Sequence, residues 1–66
     1  MTHDIAQTIV DSLKSKNGPV LTLLEAMMMA KLPSDGIDVY SIQKGDVTFL
    51  ARVSKNGYVV VKTIAW

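Results

Sequence analysis

Chemistry at neutral pH usually needs a base poised there, a nucleophile held by one, or a metal. The chain has one histidine, His3, beside a terminus where ends fray, and it has no cysteine. Thiolate nucleophiles, disulfide staples and zinc or iron–sulfur sites built on cysteine are therefore excluded. The acids Asp4, Asp11, Glu25, Asp35, Asp38 and Asp46 are spread over helix starts, a solvated helix face and turns. Asp35 and Asp38 share a cation with Asp46 only if their loops meet, and their spacing matches no calcium loop. The four glycines, Gly18, Gly36, Gly45 and Gly57, are isolated turn glycines and form no phosphate cradle. The inventory predicts a protein that is not an enzyme and carries no cofactor or metal.

Two other groups of residues point to binding. Met27-Met28-Met29 places three flexible thioethers in a row, a residue type that fills core gaps and also lines adaptable binding surfaces. At 100° per residue they point in three directions, so one or two enter the core and another meets a partner. The cations are Lys14, Lys16, Lys31, Lys44, Arg52, Lys55 and Lys62, with a net charge of +1. No strong field draws the chain to nucleic acid or anionic lipid.

The elements that position these residues read as follows. Asp4 to Lys16 is an amphipathic helix, with Ile5, Ala6, Ile9, Val10 and Leu13 in one arc. Asp4 caps it, Gln7 completes a box-like pair, and Asn17-Gly18 supplies a left-handed stop before Pro19. Thr22 and Glu25 form a capping box for a second helix that runs through Lys31 until Pro33 stops it. That helix is apolar almost all round, which requires cover on more than one side.

Residues 34–49, "SDGIDVYSIQKGDVTF", admit two readings. As β structure, Ile37 to Ile42 is a strand and Lys44-Gly45-Asp46 a turn. A two-residue loop puts Tyr40 and Ile42 on the core face, and a three-residue loop puts Ile37 and Val39 there. As α structure, residues 37–44 make a third short helix. Asn56-Gly57 then reads as a type I′ hairpin turn. That register pairs Val53 with Val60, Ala51 with Lys62, Phe49 with Ile64 and Val47 with Trp66 on the core face. Leu50, Val59 and Val61 fall on the opposite face.

The fold expected is a single α+β domain over residues 1–66, with two N-terminal helices packed on a three-stranded antiparallel β-meander. The order helix, "NGPV", helix, "LPSDG" and terminal hairpin also resembles small winged-helix regulators in layout. That alternative puts a third short helix at 37–44, followed by a C-terminal β-hairpin wing, and the resemblance implies DNA binding. Ser41, Gln43, Lys44, Arg52 and Lys55 would then contact nucleic acid.

A domain of this size buries only about 60% of its unfolded surface. The composition is 48% apolar and 20% charged, generous in apolar residues for so little interior. Some of that surface is expected to meet another copy or a partner. The interface expected is Met28, Met29, Leu50, Val59, Val61 and Trp66, used by a regulatory or accessory protein-binding module that forms a homodimer and binds an unidentified protein. Met1 to Asp4 lacks the basic-then-apolar order of a signal peptide, and Val20 to Leu32 is shorter than the roughly 20 residues a membrane span needs. The expected location is the cytoplasm, with no membrane partner.

Overall fold

The computed structural model describes residues 1–65. The order is α1 (His3–Lys14), α2 (Leu23–Met27), β1 (Ala30–Leu32), β2 (Asp38–Lys44), β3 (Val47–Val53) and β4 (Val59–Ala65). The strands form one antiparallel sheet in the order β1-β2-β3-β4. The fold is thus α+β with two helices on a meander, and the meander has four strands where three were expected. Among the described residues no helix is long and apolar enough to cross a membrane.

α1 starts one residue earlier than its sequence pattern implied. Thr2 is the N-cap, and its hydroxyl accepts from the Ile5 amide at 3.4 Å. Asp4 lies in the first turn, where its charge suits the helix dipole. The helix ends at a right-handed Ser15 cap, and Gly18 does not take the left-handed conformation expected of it. Ala6, Ile9, Val10 and Leu13 are all buried, as the apolar arc requires.

α2 begins where expected. Glu25 N–H donates to Thr22 Oγ1 at 3.1 Å, and Thr22 N–H donates to Glu25 Oε1 at 2.9 Å. It does not reach Lys31. It is five residues long, and the chain enters the sheet at Ala30. Pro33 disfavours helical backbone at Leu32, and the extended segment before it closes one edge of the sheet. Its register sets Ala30 opposite Ser41, Lys31 opposite Tyr40 and Leu32 opposite Val39.

Residues 38–44 are strand, so the third short helix of the winged-helix alternative does not form there, and the described residues hold two helices. Lys44 pairs with Val47 around Gly45-Asp46, with Gly45 at φ +60°. This two-residue loop with glycine first has the type II′ form. It selects the register that puts Tyr40 and Ile42 on the core face, opposite Ala51 and Phe49.

The last hairpin departs from its expected register. Val53 pairs with Val59, Ala51 with Val61, Phe49 with Thr63 and Val47 with Ala65. Gly57 N–H donates to Ser54 O at 3.0 Å and Ser54 N–H to Tyr58 O at 2.9 Å, closing Lys55-Asn56-Gly57 as a three-residue loop. Only Gly57, at φ +82°, is left-handed, so the turn is a type I turn with a glycine bulge and not type I′. One extra loop residue turns every β4 side chain to the opposite face. The expected pairing of Val47 with Trp66 falls outside the described residues.

Among the described residues the buried strand side chains all belong to the helix side of the sheet: Phe49, Ala51, Val53 and Val61. Phe49, Ala51 and Val61 meet α1, Leu21, Ala26 and Met29 in one core.

Candidate interaction surface

The interface and contact residues expected from sequence separate into several places. Val61 is 3% exposed and Met29 is buried, both in the core, so neither side chain is presented to a partner. Val59 is half-buried on the helix side of the sheet and packs against the core. The register shift moved Val59 and Val61, and the early end of α2 turned Met29 inward. Met28, 67% exposed, and Leu50 stay on the surface, but on different elements. Trp66 lies outside the described residues.

The five residues expected at nucleic acid do not form one surface either. Ser41, Gln43 and Arg52 lie on the open side of the sheet. Lys44 is on the helix side, where its Nζ pairs with Glu25 Oε1 at 2.9 Å and donates to Val20 O at 3.4 Å. Lys55 sits at the hairpin tip.

The acids are not gathered. Asp38 pairs with Lys31 at 3.4 Å, and Asp46 is in the turn at the other end of the β2–β3 hairpin. Among the described residues no three His, Asp or Glu converge on a metal position. His3 is exposed beside Asp4, at 4.0 Å. Glu25 is held below its ordinary pKa first by the Thr22 amide, then by the Lys44 ammonium.

What the fold does assemble is a sheet face on which, among the described residues, no helix packs. By register, one row holds Leu32, Val39, Arg52 and Val60; the next holds Ala30, Ser41, Leu50 and Lys62; a third holds Gln43, Thr48 and Ile64. Both helices pack on the other side. Val60 is 46% exposed and Ile64 39%. Leu50, Arg52, Val60, Lys62 and Ile64 line a shallow depression in this face. A more polar crevice, lined by Ser34, Gly36, Asp38 and Lys55 among others, opens between the 34–38 loop and the last hairpin. There the Ser34 hydroxyl is already given to the Ile37 carbonyl.

Sequence reasoning missed Val60, Lys62 and Ile64 because it had turned β4 over. The missing signal was Lys62, which the type I′ register had placed opposite Ala51 on the core floor, where an unpaired ammonium is costly. A second exposed apolar group, Leu24, Met27 and Met28, lies on one side of α2.

Comparison with known protein families, with curated proteins and with solved structures gave no match.

Proposed function

We propose that this protein is a small non-enzymatic accessory module that binds another protein through the open face of its sheet and assembles as a homodimer along β4. The observation that carries this reading is the face itself. Leu32, Val39, Leu50, Val60 and Ile64 share one side of a sheet, and among the described residues both helices pack on the other side. Antiparallel sheets that face water usually alternate apolar-in and polar-out, so several aliphatic residues pointing outward mark a surface that binds.

The edge position of β4 supports assembly along it. Lys16 Nζ donates to Val61 O at 2.8 Å, so the backbone groups of Val61, and of Val59, Thr63 and Ala65 by alternation, point away from β3. Thr63 to Ala65 are exposed along that edge. An edge of this kind offers a pairing template to a second copy. Pairing there leaves the open face free for its partner.

The side-chain inventory supports a non-catalytic role, with one histidine at an exposed helix start and no cysteine. A DNA-binding reading loses its main support once residues 38–44 are strand and the five candidate contacts are dispersed. Salt-dependent mobility shift of a random duplex is the check on that reading, and no shift at low salt is expected.

The reading is tested by affinity capture with wild-type protein and Leu50→Asp side by side, with circular dichroism to show that both are folded. Wild type is expected to retain a protein that the variant loses. Equal retention by the two sinks the reading.

A further inference from the structure

We infer that the occupant of the open face is an amphipathic helical segment with acidic residues along one flank; this rests on the protein-binding reading above and names the chemistry of its partner. Val39 on β2, Leu50 on β3 and Ile64 on β4 each step one strand and two residues from the last. They form a diagonal aliphatic stripe across three strands. From ideal sheet spacings, the stripe is roughly 17 Å long. An α-helix covers that distance in about eleven residues, so three or four apolar side chains at helical spacing can seat along it.

The two flanks of the stripe differ in charge. Arg52 and Lys62 lie on one side of it, with Val60 between them and the strand end. Ser41, Gln43 and Thr48 lie on the other and are neutral. Among the described residues the open-face strand positions include no Asp or Glu: Asp38 is on the helix side, and the other acids are on helices, in loops or in turns. An apolar ridge beside two cations and no carboxylate is complementary to a helix with carboxylates on the matching flank.

The same charges decide against a second copy here. Two open faces apposed about a twofold axis across the stripe bring two Arg52 and two Lys62 side chains together, and about an axis along the stripe set them against the neutral flank; neither arrangement offers them an acid from the described open face. Like charges juxtaposed in this way suppress the wrong partner.

The test uses two synthetic amidated peptides of about fourteen residues, each with leucines at helical spacing. One carries glutamates along one flank and the other carries lysines at the same positions. Each is titrated into ¹⁵N-labelled wild type and into Arg52→Glu/Lys62→Glu, whose amide spectrum also reports its fold. In wild type the acidic peptide is expected to bind about tenfold tighter than the basic one, less so at high salt, with the largest shifts at Leu50, Val60 and Ile64. The double variant is expected to reverse the preference.

Equal affinity for both peptides overturns the acidic partner and leaves the protein-binding face standing. Absence of open-face shifts with either peptide overturns both. Open-face shifts that grow with protein concentration alone assign the face to a second copy and overturn the inference.

Discussion

Single residues carry two of this fold's constraints, and each has a measurable consequence. Gly57 holds φ +82° at the hairpin bulge, and an added Cβ would meet no atom within 4 Å. Space is not the obstacle; the backbone angle is. Gly57→Val is expected to cost about 1–2 kcal/mol from left-handed strain, read as a lower denaturation midpoint. Asn56 has no positive φ, so Asn56→Ala is expected to cost much less. Equal losses at the two positions would restore the type I′ turn. Glu25 carries the second constraint. Its folded pKa is depressed below the ordinary 4.5 by the Thr22 amide and the Lys44 ammonium. A depressed carboxylate contributes stability above its unfolded pKa and loses it as pH falls through the folded one. Glu25→Gln can still accept the Thr22 amide hydrogen but cannot pair with Lys44. Wild type is expected to exceed the variant in thermal midpoint near pH 7 and to converge on it below pH 4.5, more fully in low salt. A gap that persists unchanged at acid pH would place the effect elsewhere.

At the scale of elements, β4 decides which side chains the molecule shows. Val61 is in the core and Val60 on the open face, one residue apart. Val61→Lys buries an ammonium without a partner, at about 3–5 kcal/mol, which approaches the whole stability of a small domain. Val61→Lys is therefore expected to be unfolded by circular dichroism at 25 °C, while Val60→Lys keeps a native spectrum. The reverse outcome would place β4 in the other register. This is also where the sequence was least legible. The apolar arc of α1 and the Thr22–Glu25 box are local patterns that appear where expected, and the strand read over Ile37 to Ile42, against a helix at 37–44, is observed over Asp38–Lys44. The length of α2 and the register of β4 are set by partners distant in sequence. Residues 30–32 contain good helix formers, yet they become strand because β2 offers them an edge and Pro33 resists the helix. Asn-Gly is a strong hairpin signal whose loop length stays open. Here the Ser54 hydroxyl accepts the Tyr58 amide at 3.0 Å and supports the longer loop. The candidate surface inherited that one-residue error: Leu50, on the correctly read β3, was legible, and Val60, Lys62 and Ile64 were not.

The whole molecule is one helical layer on one sheet, with β4 at one edge and an open face on the side away from the helices. Thr63 shares its backbone direction with Val61, away from β3. Thr63→Pro therefore removes an outward amide and spares the β3–β4 ladder. If the dimer forms along this edge, wild type is expected to be dimeric and Thr63→Pro monomeric in sedimentation equilibrium at micromolar concentration, with similar helix and strand content. A variant that stays dimeric would move the interface off β4. The contact between α1 and β4 also ties the beginning of the described chain to its end, and Lys16 and Val61 are 45 residues apart. During synthesis at about 5–20 residues per second, the apolar face of α1 emerges roughly two to nine seconds before the strand that completes its cover. In that interval Ile9, Val10 and Leu13 have no β4 to pack on, and the apolar arc of the newborn helix stays open until the last described strand arrives.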